Sequence, residues 1–130
     1  MTTLFTVFGS KNSGASEIQQ DSDQDFVLRP IRQLAKAIAS LLQGSPAPAQ
    51  LHEAEEALRE AAREALSIDP HWLDHLTPSS AMKLLDSPER VAAYIEVVET
   101  QARLAHASGD KLRGDTLVQR AHRLRSRDTG

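Results

Sequence analysis

The sequence has no cysteine and no long apolar run. The missing cysteine excludes disulfides, thiolate zinc ligands and cysteine nucleophiles, and it fits a reducing compartment. No apolar stretch approaches the roughly 20 residues that a membrane-spanning helix needs. The first residues also lack the basic and apolar regions of a secretory signal. We therefore expect a cytoplasmic protein without a membrane span.

Aromatic residues and excess charge are also scarce. A chain of 130 residues is the size of one domain. Its formal net charge of -3 provides no overall field that would attract nucleic acid. Aromatic residues make up only 4% of the chain, so the core must consist mainly of Leu, Ile, Val and Ala. A core of these residues favours helices that pack closely through small side chains.

Residues 1–22 are predicted to form a non-helical N-terminal arm, flexible or docked. Gly, Ser, Asn and Gln dominate its second half, whereas its first half is apolar through Leu4, Phe5, Val7 and Phe8. An exposed segment of this kind is an aggregation hazard. We therefore expect these four residues to bind a groove of this chain, a second copy, or the sheet edge of a partner.

Residues 23–130 carry the apolar periodicity of helices, and we predict an all-α domain. The first helix is predicted to start near Leu28, because Pro30 then falls in the first turn, where a proline is tolerated. Thr77 and Ser87, each followed by proline, are expected to cap helices. The later helices are predicted at about 50–67, at a short segment around Trp72, at 78–85, at 88–107 and at 111–126.

The apolar residues also predict which helices are central. The helix at 88–107 is apolar on two sides, so we expect it to lie between other helices. Trp72 is expected to anchor its turn onto the core, because it is the only large aromatic residue there. The last helix is predicted to bury Gly114, Leu117, Val118, Ala121 and Leu124.

Two stretches resemble tetratricopeptide-type helix hairpins. The segment "ALSIDP", Ala65–Pro70, is similar to the end of a repeat's second helix. In the last hairpin, Gly109, Gly114, Val118 and Ala121 fit the small-large-small spacing of that motif, over roughly the last 35 residues. The resemblance implies antiparallel helix hairpins with a tetratricopeptide-like arrangement.

The stretch "DFVLRPIRQLAKAIASLL" resembles the opening of a family of small bacterial helical proteins with tetratricopeptide-like cores. That family brings no assigned activity. What both resemblances imply for function is a surface for contacts with other proteins.

The segment after the apolar start resembles a phosphate-binding loop. Gly9, Gly14 and Ser16 match the pattern G-x-x-x-x-G-K-[ST], but Ala15 stands where the lysine belongs, with Lys11 as an alternative phosphate ligand. The loop also requires a parallel sheet and a helix directly after it, whereas helices alone follow here. We interpret the segment as a Gly/Ser-rich tail and expect no nucleotide cofactor.

Two further motifs have the spacing of chemical sites. His71 and His75 have the i, i+4 spacing of two metal ligands, but a zinc site needs three or four. Ser80 and Lys83 form an S-x-x-K pattern without the companion motifs of the enzymes that use it. We interpret the histidines as solvated and Ser80 as a residue of a helix's first turn. We expect no metal, no catalytic residue and no enzymatic activity.

Basic residues cluster on one side of the last helix. Arg113, Arg120, Arg123 and Arg127 form a stripe that would suit phosphates or anionic lipid, although no aromatic residues interleave for base stacking.

Taken together, these features predict a protein–protein interaction module: an adaptor, accessory subunit or self-association domain. Its partner would be another protein or a second copy, without a small-molecule substrate. The alternative is a binder of nucleic acid or anionic membrane through the stripe.

Overall fold

A computed structural model describes residues 15–44 and 46–129, and this part of the chain consists of helices joined by short turns, with no β-strand. The predicted all-α class is confirmed. The described helices are α1 (Ala15–Gly44), α2 (Leu51–Leu66), α3 (Pro70–Asp74), α4 (Pro78–Leu85), α5 (Pro88–Ala107) and α6 (Lys111–Thr129), with a 3-10 turn at Pro48–Gln50.

The first helix begins at Ala15, well before Leu28, so the predicted start is wrong. Residues 15–22, predicted as part of a non-helical arm, are helical. Pro30 lies inside α1, where it removes one intrahelical hydrogen bond. Leu28 and Ile31 on either side of it are partly buried, so packing supports the helix across the proline. The division into an arm at 1–22 and a domain at 23–130 stays a prediction.

Helix α5 is the centre of the described fold. It packs against α6 most extensively, and also against α2 and α1. This agrees with the prediction, from its two apolar sides, that it lies between other helices. Its buried apolar residues are Val91, Ala93, Tyr94, Ile95, Val97, Val98, Ala102, Leu104 and Ala105.

Helices α5 and α6 run antiparallel. His106 contacts Asp115 near the turn at 2.9 Å, and Glu99 contacts Arg125 farther from the turn at 2.8 Å. Helix α1 packs on α2, α2 packs on α5, and α4 reaches α6. The short α3 and α4 therefore connect the α2 side of the fold to the α6 side. The tetratricopeptide-like arrangement stays a prediction.

Glycine makes the α5–α6 turn and its close packing feasible. Gly109 has φ +87°, a left-handed conformation that side chains disfavour. A Cβ at Gly114 would overlap the imidazole ring of His106. The two helices can therefore approach closely enough for His106 to contact Asp115.

Local capping signals define the starts of α3, α4 and α5. The cap residues Asp69, Thr77 and Ser87 are each followed by proline at the first helical position. Their side-chain oxygens accept hydrogen bonds from the backbone N–H groups of His71, Ser80 and Arg90. The predicted caps at Thr77 and Ser87 are confirmed.

Truncating Ile95 to Ala is expected to lower the free energy of unfolding by about 2–5 kcal/mol, because its side chain is buried and leaves a cavity. Ile95 is only 2% exposed. The measurement is urea unfolding followed by circular dichroism. Leu112→Ala is the control, since Leu112 is 80% exposed and its truncation should change stability by only about 0.5 kcal/mol. If both variants lower the free energy of unfolding equally, the buried face of α5 is misassigned.

Candidate functional site

The chain's only tryptophan lies on the surface. Trp72, on α3, is 71% exposed, so the prediction that it anchors the turn onto the core is wrong. Pro70 and Leu73 are the buried residues of this helix. A helix of five residues can turn only one side to the core, and residues three apart share that side. With Pro70 and Leu73 facing the core, Trp72 faces outwards.

The start of α3 is attached to α2 through Asp69. The Arg59 guanidinium donates to both carboxylate oxygens of Asp69, at 3.2 and 2.8 Å. Asp69 also accepts from the His71 backbone N–H at 2.9 Å. These hydrogen bonds, chiefly those from Arg59, lower the pKa of Asp69 to about 2. The carboxylate therefore stays ionised and keeps both its cap and its ion pair at neutral pH.

The end of α3 is attached to α6 through Arg120. Its Nη2 donates to the Leu73 carbonyl at 2.7 Å, and its Nη1 donates to the Leu76 carbonyl at 2.9 Å. The last carbonyls of a helix lack intrahelical donors. Arg120 is partly buried and, from a different helix, adds a second donor to the Leu73 carbonyl, which also accepts from the Leu76 N–H. The turn after α3 is thus held by Arg120, which is 47 positions from Leu73 in the sequence.

Tyr94 of α5 completes this network. Arg120 donates to the Tyr94 hydroxyl from Nε at 3.1 Å and from Nη2 at 2.9 Å. The hydroxyl in turn donates to Asp74 Oδ1 at 2.6 Å. Burial, and then the nearby Asp74 carboxylate, raise the pKa of Tyr94, so the hydroxyl stays protonated and able to donate. The Arg120 guanidinium also lies 5.7 Å from the centre of the Tyr94 ring, a cation–π distance.

The two histidines of the turn lie beside each other on the surface. Their ring centroids are 4.7 Å apart in an edge-to-face arrangement, and His75 Nδ1 is 2.8 Å from the His71 carbonyl. Because a carbonyl only accepts, Nδ1 carries the proton in this bond. Within the described residues, no cluster of three or more His, Cys, Asp or Glu side chains has the geometry of a metal site. That no metal binds stays a prediction.

A polar cleft of about 230 Å³ lies beside α3. Its lining residues are His52, Glu55, Glu56, Arg59, Pro70, His71, Asp74, Gln101 and Arg113. Most of its charged groups pair with a neighbour: Arg113 with Glu55 at 2.8 Å, and Arg59 with Asp69. The buried Gln101 Oε1 has no hydrogen-bond partner within the described part of the chain. Across the cleft, one ion pair therefore joins α2 to α6 and the other joins α2 to the start of α3.

The predicted basic stripe on α6 is divided by the fold. Arg113 pairs with Glu55, and Arg120 belongs to the network around Tyr94. Arg123 and Arg127 are exposed. Two of the four arginines are thus committed to contacts inside the chain, and the stripe offers a phosphate fewer donors than its sequence suggests.

The other motifs have simpler placements. The Ser80 hydroxyl accepts from Thr77 Oγ1 at 3.0 Å, within the cap of α4, and Lys83 is exposed. The predicted partner-binding residues Leu4, Phe5, Val7 and Phe8 lie outside the described residues, as does the Gly9–Gly14 loop.

Comparisons with models of protein families, with curated proteins and with solved structures give no match. None of the described helices combines the length and the apolarity that crossing a membrane requires.

The Asp69 carboxylate predicts a pH dependence of stability. A carboxyl whose folded pKa lies below its ordinary 3.8 stabilises the fold above that value, and this contribution disappears as the pH falls through about 2. Asp69→Asn keeps a good cap residue but removes the charge. The urea midpoint of the wild type should exceed that of the variant at neutral pH, and the two should converge between about pH 4 and 2.

Arg59→Gln is the second arm of this measurement, because it removes the partner and leaves the carboxyl in place. The urea midpoint of Arg59→Gln should depend on pH as weakly as that of Asp69→Asn between about pH 4 and 2. If the urea midpoints of the wild type and both variants change in parallel from neutral pH to pH 2, the Arg59–Asp69 ion pair does not stabilise the fold as described.

Proposed function

We propose that this protein is a non-enzymatic protein–protein interaction module, and that the α3 turn presents Trp72 as its main contact residue. The observation that supports the proposal most directly is the exposure of Trp72 on a turn whose own backbone is held in place. Tryptophan is among the residues most enriched at the energetic centres of protein interfaces. An adaptor, an accessory subunit and a self-association domain are the roles that fit.

The turn is well supported for such a contact. Asp69 holds its start, Arg120 holds its end, and Leu73 is buried beneath it. A preorganised surface loses less conformational freedom on binding, so more of the contact free energy appears as affinity. His71 and His75, exposed beside Trp72, supply polar groups of the kind found around the centre of an interface.

The N-terminal residues Leu4, Phe5, Val7 and Phe8 are proposed as a second contact of the same module. The partner is another protein or a second copy of this chain, and neither a cofactor nor a small-molecule substrate takes part. The absence of cysteine favours a cytoplasmic location.

The alternative, binding of nucleic acid or anionic membrane, has weaker support. Arg113 is exposed but pairs with Glu55, and Arg120 donates to groups inside the chain. Within the described residues, that leaves Arg123 and Arg127 as the exposed arginines of the stripe without an ion pair. Binding to phosphates would weaken steeply as salt rises, whereas an interface centred on an apolar side chain would not. Salt dependence therefore separates the two functions.

Trp72→Ala is expected to weaken partner binding by about tenfold or more, because an interface hot spot contributes at least ~2 kcal/mol. The measurement is affinity capture from a lysate followed by quantitative mass spectrometry, with the wild type and variants immobilised equally. Leu112→Ala, which removes another exposed apolar side chain, is the matched control and should retain every partner.

Phe5→Ser combined with Phe8→Ser tests the N-terminal contact in the same capture. It should reduce the same partners while circular dichroism stays helical. If both Trp72→Ala and the double variant capture the wild-type set of proteins at unchanged yield, the proposed function is wrong.

A further inference from the structure

A second surface lies between α5 and α6, away from the Tyr94 network. It is a groove of about 360 Å³ lined by Glu99, Ala102, Arg103, His106, Val118, Ala121, His122 and Arg125. Val118 is 50% exposed here, so the prediction that it is buried is wrong. Gly114, Ala121 and Leu124 form the buried side of α6, and Val118 lies at its edge. The groove thus has an apolar residue that the chain itself leaves uncovered.

The groove carries four basic side chains, and two of them are already bound to acidic residues. Arg125 is bound to Glu99, and His106 is bound to Asp115. Arg103 and His122 are exposed, and among the described residues neither makes an ion pair or a side-chain hydrogen bond. These two side chains are available to an acidic ligand that also covers Val118.

The first turns of α1 are acidic and are followed by an exposed aromatic residue, so they complement the basic and apolar side chains of the groove. Helix α1 has 30 residues, which gives it a length of about 45 Å at 1.5 Å per residue. Where side chains are described, its contacts with the core cluster run only from Ile31 to Leu42. Phe26, just before them, is 82% exposed. The sequence from Ala15 to Asp25 contains four acidic residues, Glu17, Asp21, Asp23 and Asp25, and no basic residue.

We propose that the N-terminal turns of α1, residues 15–26, dock into the α5–α6 groove of a second copy of this chain. The occupant is a second copy because α1 is one continuous helix through Gly44 that packs on α2 and α5. Within the described residues, α1 makes no extensive contact with α6 of its own chain. Acidic residues then face Arg103 and His122, while Phe26 supplies apolar surface to Val118.

Two such contacts, exchanged reciprocally, close a two-fold dimer. This inference rests on the proposed function, because self-association is one of its forms. It uses a different surface from Trp72, however, so the two can fail separately.

The test is the mass of the full chain in solution, by sedimentation equilibrium over a range of concentrations. The wild type should show the mass of two chains. Arg103→Glu combined with His122→Glu should raise the dimer dissociation constant at least about tenfold, because acidic groups then face each other. Arg123→Glu combined with Arg127→Glu is the matched control, with charge reversed on exposed residues of α6, and should leave the dimer intact.

Charge reversal on the other side makes the test specific. Asp21→Lys with Asp25→Lys should weaken the dimer alone and restore it when mixed with the Arg103→Glu/His122→Glu chain, as a heterodimer. A single-chain mass at every concentration would overturn the proposal. So would a dimer that the groove variant leaves unchanged. A dimer lost on Trp72→Ala but kept in the groove variant would overturn it while supporting the proposed function.

Discussion

The guanidinium group of Arg120 is the constraint on which the α3 turn depends. One side chain on α6 donates to the Leu73 carbonyl of α3, to the Leu76 carbonyl in the turn after it, and to the hydroxyl of the buried Tyr94 on α5. Each buried polar group left without a partner costs about 1–3 kcal/mol. Without Arg120, the segment between α2 and α4 would be held by Asp69, by the hydrogen bond from Tyr94 to Asp74, and by two buried side chains. The exposed position of Trp72 is therefore a consequence of a contact made elsewhere.

The starts of α4 and α5 were predictable because their signals are local. Thr77 and Ser87 cap helices directly before a proline, and the two apolar sides of α5 correspond to its neighbours on both sides. The role of Arg120 was not predictable, since it joins residues 47 positions apart along the chain. Tyr94 carried a partial signal, because a hydroxyl on an apolar helix face needs a buried partner.

Three differences between sequence and structure have physical reasons of their own. Pro30 was expected near a helix start, but packing on both sides of it carries α1 through the proline. Trp72 was expected in the core, but its five-residue helix can bury only Pro70 and Leu73. Val118 was expected to be buried, but it lies at the edge of the α6 face that packs on α5 and is 50% exposed. The outcomes for Pro30 and Val118 depend on packing against other helices, which neighbouring residues in the sequence do not encode.

Arg120 thus fixes the backbone that presents Trp72. Native-state hydrogen exchange tests it directly, because the His75 and Leu76 amides donate within this turn, to Trp72 and Leu73. In Arg120→Met, which keeps the apolar stem, these two amides should exchange about tenfold faster, equivalent to ~1.4 kcal/mol, relative to amides of α2. Arg123→Met should leave them unchanged. A folded Arg120→Met protein whose turn amides stay as protected as in the wild type would contradict the claim.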